Sequence, residues 1–111
     1  MNKNMIIGYV SYPNTEEARK AARYMVDKDI VACAKVLNNL DVYYKYEGKL
    51  NEDKESYLII KSLENKISDI KDYLKSNHPY QIHEFIYSTV NAGNEEYYKW
   101  VESNLINNKL E

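Results

Sequence analysis

The residues best suited to chemistry lie between His78 and Trp100, in the segment HPYQIHEFIYSTVNAGNEEYYKW. This segment holds both histidines of the chain, His78 and His83, and the carboxylate of Glu84 follows directly. Imidazole and carboxylate groups serve as metal ligands, proton carriers and anchors for polar ligands. Three kinds of site are compatible with them: a metal centre, a nucleophilic pair and a ligand cleft.

A metal centre in one chain is disfavoured by the spacing of its candidate ligands. His78 and His83 are five residues apart across a turn, which matches none of the usual zinc patterns, and a single cysteine, Cys33, cannot form a CxxC half-site. On a strand, His83 and Glu84 would point to opposite faces. A metal site would therefore have to be shared between chains.

A nucleophilic role for Cys33 is disfavoured by its surroundings in the sequence. It lies between Ala32 and Ala34 in a predicted strand, where small residues indicate tight packing, and no glycine elbow or helix start follows to lower its pKa. The acidic residues show no spacing that marks a catalytic pair, and the chain has neither GxGxxG nor a P-loop. We predict a structural thiol and a protein that is not an enzyme.

A ligand cleft is the third kind of site, and it would bind a small anion or another polar molecule. Lys61 ends an apolar strand, His78, Tyr80 and Glu84 surround the turn before the last strand, and Trp100 follows. A cation, an imidazole, a carboxylate and aromatic rings can together line such a cleft. Equally, the aromatic residues of the last helix could serve only to pack that helix.

The first half of the chain predicts a strand, a helix and a long hairpin. Met5–Tyr12 is rich in Ile, Val and Tyr, and Asn14 caps a helix whose apolar stripe is made mostly of alanine. Residues 30–37 and 41–46 read as extended chain. Residues 47–49 form a turn around Gly48, and residues 56–61 form the returning strand of the hairpin.

The second half predicts a helix, a strand and a final helix. Ser62 is a plausible cap for the helix that ends before Pro79, residues 82–90 form the fourth strand, and Gly93 and Asn94 open the last helix. The order βαββαβ plus a helix predicts a single ferredoxin-like domain over residues 1–111, α+β in class. Its four-stranded antiparallel sheet would have helices on one face. The strands are apolar on both faces, so we predict a second copy on the other face and a homo-oligomer.

Composition excludes several classes of function. The chain has 111 residues and a net charge of −2, so no basic surplus suggests a nucleic-acid partner. The N-terminus lacks the apolar core and cleavage site of a signal peptide, and no apolar run approaches a membrane span. One cysteine allows no intrachain disulfide, and a reducing, cytoplasmic location is the simplest interpretation.

Six motifs, in order and with fitting gaps, resemble those of the CutA family of divalent-cation tolerance proteins. They run from about Ile6 to Leu105: SYPNTEEA, ACAK, DVYYKYEGKLNEDKE, IKS, HPYQIHE and NAGNEEYYKW. Each is weak alone, but six in order are specific. The resemblance implies a ferredoxin-like fold, a tight homotrimer, a cytoplasmic location and a role in tolerance of copper and other divalent cations.

The resemblance also implies an alternative function. Members are similar to the PII signalling proteins in fold and trimeric assembly, which suggests a sensor that binds a small ligand at subunit interfaces with no physiological metal role. No firm catalytic activity comes with the family. The expected partners are further copies of the chain and a divalent cation or small ligand.

The chain departs from the family pattern at the copper site described for some members. The corresponding positions here are Val10, Asn77 and His78, so one ligand of three is retained. Cys33 matches the family's second-strand cysteine, and His83 replaces a proline, which adds a ring nitrogen and frees a backbone N–H. The metal ligands we predict are His78, Cys33 and His83, for copper or another divalent cation that folding does not require.

Overall fold

The computed structural model describes residues 5–105, so both ends of the predicted domain 1–111 lie outside the described residues. Strands and helices follow one another in the predicted order. Their bounds are β1 Met5–Tyr12, α1 Thr15–Asp27, β2 Cys33–Tyr46, β3 Lys49–Leu63, a 3₁₀ turn Glu64–Lys66, α2 Ile67–Asn77, β4 Phe85–Thr89 and α3 Glu95–Leu105.

The four strands form one sheet in the order β2-β3-β1-β4, and each neighbouring pair is antiparallel. Strand β1 is central, with Val10 opposite Leu58 of β3 on one side and Phe85 of β4 on the other. This arrangement confirms the predicted ferredoxin-like fold. It also leaves β2 and β4 as the edge strands.

Helices α1 and α2 cover one face of the sheet, and the main core lies between these layers. Asn14 starts α1 as predicted, since its side chain accepts a hydrogen bond of 2.9 Å from the backbone N–H of Glu17. The alanine-rich stripe lets the helix approach the strands closely. The buried residues of this core are Ile6, Val10, Tyr12, Ala18, Ala21, Met25, Val31, Leu58, Ile60, Ile70 and Leu74.

Helix α3 packs on the opposite face, which we call the outer face. A second core there joins Met5 of β1 and Leu63 of β3 to Tyr98, Val101 and Leu105 of α3. Successive residues of a strand point to opposite faces, so Met5 and the buried Ile6 belong to different cores. The predicted helix layer on one face is confirmed for α1 and α2, and the additional C-terminal helix α3 covers one end of the outer face.

The β2–β3 hairpin extends beyond the rest of the sheet as a two-stranded arm, residues 40–46 and 49–55. Strand β1 pairs with β3 only up to Ser56, so the arm has no third strand. Its turn is the predicted one: Glu47 and Gly48 have φ of 52° and 79°, the left-handed geometry of a two-residue hairpin loop. Tyr43, Tyr46 and Leu50 on the arm are 62%, 64% and 67% exposed.

A β-bulge marks the base of the arm. Leu37 pairs with Tyr57 and Leu40 with Glu55, so two residues of β2 face one residue of β3. Asn39 in the bulge has a φ of 56°. The neighbouring Asn38 accepts a hydrogen bond of 3.1 Å from the hydroxyl of Thr15, which ties the bulge to the start of α1.

Several predicted boundaries move in the structure, and β3 runs over Lys49–Leu63 rather than residues 56–61. Strand β2 begins at Cys33 rather than at residue 30, because Val31 turns into the core. Ser62 does not cap α2; it lies within β3 and its hydroxyl donates 2.8 Å to the carbonyl of Ile30. Strand β4 begins at Phe85, so His83 and Glu84 lie in a loop and the strand-face argument for them does not apply.

Candidate functional site

The loop 78–84 between α2 and β4 is fastened to the sheet by His78. Pro79 disfavours helix at the residue before it, and α2 ends there. The Nδ1 of His78 accepts a hydrogen bond of 3.0 Å from the backbone N–H of Tyr80, so the proton lies on Nε2. Nε2 donates 2.7 Å to the carbonyl of Ser11, just beyond the point where β4 stops pairing with β1. His78 is thus held as a neutral imidazole with both nitrogens in use.

The ring of His78 also stacks against two other rings. Its centroid is 4.4 Å from that of Tyr12 and 4.9 Å from that of His83, with interplanar angles of 24° and 25°. Burial lowers the pKa of His78; the hydrogen bond to the Ser11 carbonyl opposes this in part, and His83 adds a smaller lowering. Burial therefore favours the uncharged imidazole.

Two buried polar atoms beside His78 have no hydrogen-bond partner among residues 5–105: the Oη of Tyr12 and the Nδ1 of His83. Burial raises the pKa of Tyr12, and the charges of Tyr73 and Glu17 add to the rise. The Tyr12 hydroxyl therefore stays protonated without a hydrogen-bond acceptor, which costs stability.

Glu84 is held on the outer face by two hydroxyl groups. Ser11 Oγ donates 2.7 Å to one carboxylate oxygen and Tyr57 Oη donates 2.6 Å to the other. Burial and the hydrogen bond to Glu84 raise the pKa of Tyr57 to about 12, so the donor keeps its proton at neutral pH. The carboxylate is exposed but fixed in orientation.

A second hydroxyl–carboxylate pair lies next to the first. Tyr80 Oη donates 2.9 Å to Glu55 on β3. Burial and this bond raise the pKa of Tyr80. Tyr57 stacks on Tyr9 with centroids 5.6 Å apart. We call the group of His78, Tyr80 and Glu84 with these partners the His78 end of the outer face.

The sequence pointed to His78, Tyr80 and Glu84 as cleft residues and to Glu55 only as an unpaired carboxylate, and it did not single out Ser11 or Tyr57. A signal was present, since Glu55 and Tyr57 are two apart on a strand and so share a face. Their pairing with the loop could not be read from the sequence, because it depends on where β4 stops and leaves Ser11 uncovered.

The other candidate residues lie at the α3 end of the outer face. Lys61 pairs with Cys33 across β2 and β3. Cys33 is half-buried beside Tyr97, and the pKa of Tyr97 is raised by burial and, to a smaller extent, by the neighbouring thiol. Tyr97 stacks on Trp100 at 5.6 Å. We call this group the Lys61 end.

One chain does not bring the two ends together. Lys61 is four residues from Tyr57 along β3, which is roughly 13 Å at the rise of a strand. Within residues 5–105 no three His, Cys, Asp or Glu side chains come close enough to hold a metal ion. The metal ligands His78, Cys33 and His83, and the five-residue cleft, therefore stay predictions that a second chain would have to complete.

Comparison with known proteins gives matches over nearly the whole chain. The family model for "CutA1 divalent ion tolerance protein" matches residues 6–104. The "Protein CutA homolog" of Xenopus laevis is 39% identical over 93 residues, 84% of this chain and 62% of that protein. The "Divalent-cation tolerance protein CutA" of Pyrococcus horikoshii is 36% identical over 97 residues, 87% of this chain and 94% of that protein.

The structural comparison agrees with the sequence comparison. The crystal structure of CutA1 from Oryza sativa superposes with a TM-score of 0.87 at 30% identity, over 91% of this chain and 93% of that one. The chain spans 52% to 62% of the length of four animal and plant relatives. None of the helices in the described part of the chain is long and apolar enough to cross a membrane.

Proposed function

The chain belongs to the CutA1 divalent ion tolerance protein family, and on this premise we propose that it is a non-catalytic homotrimer of divalent-cation tolerance that binds a metal ion or a small ligand. The family match over residues 6–104 is the observation that carries the proposal. The proposal places the protein in the cytoplasm.

The exposed arm and the half-covered outer face support the oligomeric part of the proposal. An isolated two-stranded hairpin is marginally stable in water, and the arm carries large apolar side chains without a third strand. Packing against further copies would bury them. Sedimentation equilibrium at micromolar concentration should give the mass of a trimer. A monomer without larger species would contradict the proposed homotrimer.

The metal part of the proposal assigns copper or another divalent cation to His78, His83 and Cys33. A metal at His78 would have to displace either the Tyr80 N–H or the Ser11 carbonyl, because both ring nitrogens are already bonded. His83 offers a nitrogen with no partner in the described chain. Binding at one of these residues would therefore rearrange loop 78–84.

Calorimetric titration with Cu²⁺ and Zn²⁺ tests the metal part. Wild type should bind more tightly than millimolar, and both His78→Ala and His83→Ala should weaken binding at least tenfold. Lys75→Ala on α2 is a matched surface control that should bind as wild type does. Millimolar binding that His78→Ala leaves unchanged would end the metal interpretation.

The second candidate function is a PII-like sensor whose ligand lies between subunits. The full use of both His78 nitrogens favours it, because a neutral imidazole locked by hydrogen bonds is better suited to hold a polar ligand site than to donate to a metal. A thermal-shift screen of small anions and nucleotides tests it. The ligand should raise Tm, and His78→Ala or Glu84→Gln should remove the rise.

The non-catalytic part of the proposal concerns Cys33. The thiol is half-buried beside Tyr97 at the Lys61 end, whereas both histidines lie at the His78 end. The Cys33 thiol should react with iodoacetamide at pH 7 no faster than free cysteine does. Much faster alkylation in the folded protein would reopen a nucleophilic role.

A further inference from the structure

A cavity of about 160 Å³ lies where the chain passes from β4 into α3. Its walls include Met5 at the start of β1, Val90 and Asn91 of the connecting loop, and Tyr97 and Tyr98 of α3. Within the described chain, none of the residues assigned above to the ligand cleft or to a metal lines this cavity. It is therefore a separate candidate site.

Backbone hydrogen bonds hold the buried wall of the cavity. The N–H of Val90 donates 2.9 Å to the carbonyl of Met5, and the N–H of Met5 donates 3.2 Å to the Oη of Tyr98. Met5 and Tyr98 are 5% and 8% exposed. Loop, strand and helix are thereby tied together, so the cavity has a fixed apolar wall before any ligand binds.

The start of α3 beside the cavity is poorly suited to bind an anion. Asn94 accepts 2.9 Å from the N–H of Glu96 with its side chain and 3.2 Å from the N–H of Tyr98 with its carbonyl. Glu95 and Glu96 place two carboxylates in the first turn, where the helix dipole favours negative charge. The helix therefore supplies its own anions, and a further anion would be repelled by them.

The cavity instead offers a site for a positive charge. Among the described residues, Glu95 is the one charged side chain that lines it, and its carboxylate forms no hydrogen bond or ion pair with residues 5–105. Lys99, one turn later on α3, does not pair with it there. Tyr97 is 37% exposed, and the face of an aromatic ring attracts a cation. The side chain of Asn91 adds an amide oxygen as a second acceptor.

The volume of the cavity limits the size of a ligand. An engineered protein cavity of about 150 Å³ holds one benzene molecule, so this one has room for a single small ring or an aliphatic chain of similar volume. We propose that the cavity binds a small organic ammonium ion, a primary amine that carries an apolar group about the size of a benzene ring.

Each part of such a ligand has a defined neighbour. The apolar group lies against Met5, Val90 and Tyr98, and the ammonium donates to the Glu95 carboxylate beside the ring of Tyr97. This site is separate from the metal and ligand sites of the proposed function, and neither depends on the other.

Titration of the ¹⁵N-labelled wild-type protein with benzylamine at pH 7 tests the site. Amide chemical shifts should change mainly at Met5 and in residues 90–98, and they should saturate with a dissociation constant of roughly 1 mM, the range for so small a ligand. Two probes with the same ring isolate the effect of charge. Benzyl alcohol should bind about three- to fivefold more weakly than benzylamine, and phenylacetate should give no saturating shifts in these residues.

Three variants identify the groups that hold the cation. Glu95→Gln should weaken benzylamine binding about three- to fivefold and leave benzyl alcohol binding unchanged. Glu96→Gln is the matched control, because it removes the same charge from the same turn but from a side chain that does not line the cavity. Tyr97→Leu keeps an apolar wall without the aromatic face, so it should weaken benzylamine more than benzyl alcohol. The amide spectrum of each variant shows whether it is folded.

Four results would overturn the proposal. Equal affinity for benzylamine and benzyl alcohol would leave an apolar cavity without a preference for charge. Equal losses in Glu95→Gln and Glu96→Gln would replace the Glu95 contact with the general field of the helix start. Shifts centred outside residues 90–98, or none that saturate by roughly 50 mM, would remove the site. Each result leaves the proposed function standing, whereas a monomer in sedimentation contradicts the homotrimer and leaves this site untouched.

Discussion

Strands β2 and β3 run through two very different regions, the four-stranded body and the two-stranded arm. In the body, Leu58 and Ile60 of β3 are fully buried between β1 and the helices. In the arm, eight residues before Leu58 on the same strand, Leu50 is 67% exposed. The composition of β3 changes between the regions, since residues 49–55 hold five charged residues and residues 56–63 hold one.

The difference teaches that the body is stabilised by a buried core, whereas the arm contributes no residue to either core of the described chain. Burial of apolar area stabilises the body at about 25 cal/mol per Å². The arm has strand pairing, one turn and the exposed Lys54–Asp41 pair, all of which compete with water. The experiments below are ordered from the largest expected effect to the smallest.

The largest effect should come from equivalent leucines in the two regions. Leu58→Ala leaves a cavity in the main core and should lower the free energy of unfolding by about 2 to 5 kcal/mol. Leu50→Ala removes an exposed side chain and should cost less than about 0.5 kcal/mol in the single chain. Urea unfolding at low protein concentration measures both. Equal losses would contradict the distinction between body and arm.

Two glycines provide a smaller and mechanistically different contrast. A Cβ on Gly8 would lie 3.1 Å from side-chain atoms of Ile60 and Phe85, so Gly8→Ala should destabilise the whole domain by about 1 to 3 kcal/mol. Gly48→Ala meets no atom but must adopt a φ of +79°, at a cost of about 1 kcal/mol confined to the arm. Hydrogen exchange should show Gly48→Ala as faster exchange in residues 40–55 alone.

Two tyrosines should shift stability in opposite directions by about 1 kcal/mol. The Tyr12 hydroxyl is buried without a partner in the described chain, so Tyr12→Phe should raise the free energy of unfolding. The Tyr57 hydroxyl donates to Glu84, so Tyr57→Phe should lower it. Thermal unfolding measures both variants. A loss of stability in Tyr12→Phe would show that its hydroxyl has a partner, such as bound water.

The smallest effect concerns pH and His78. Burial lowers its pKa in the folded chain below the ordinary 6.5 of the unfolded chain. At pH values between the folded and the unfolded pKa, the unfolded chain therefore binds more protons than the folded chain. The stabilisation is complete above about pH 6.5 and is lost as the pH falls through the folded value. As the pH is lowered from 7.5 to 5, the urea midpoint of the wild-type protein should fall. The decline should be shallower for His78→Gln, and parallel curves would exclude this histidine as its source.

The sequence was sufficient to predict β1, α1 and the hairpin turn because each has a local cause. Asn14 accepts the cap bond, Gly48 takes the positive φ, and the alternation of Met5–Tyr12 fits a strand. The features that depend on contacts between residues distant in the sequence were harder to predict. Ser62 looks like a helix cap by type, but its hydroxyl is taken by the carbonyl of Ile30, which is 32 residues away.

The candidate site was predicted by residue type and only in part by position. His78, Tyr80 and Glu84 do lie close to one another, because they occupy one short loop. Lys61 lies at the opposite end of the same sheet face. The distance between the ends follows from the pairing register, which no local pattern in the sequence specifies.

The β-bulge at Asn38 and Asn39 decides which side of the molecule each side chain of the arm faces. Side chains of a strand alternate, so the one extra residue exchanges the two faces of everything beyond it. Val42, Tyr44 and Tyr46 thereby join the outer face instead of continuing the side buried by α1. Chain length at this one point, rather than the chemistry of any side chain, therefore sets the face on which these three side chains lie. Insertion or deletion of one residue in the bulge would exchange the two faces of the arm. Adding or removing one residue on each side of the Glu47–Gly48 turn would change only the length of the arm.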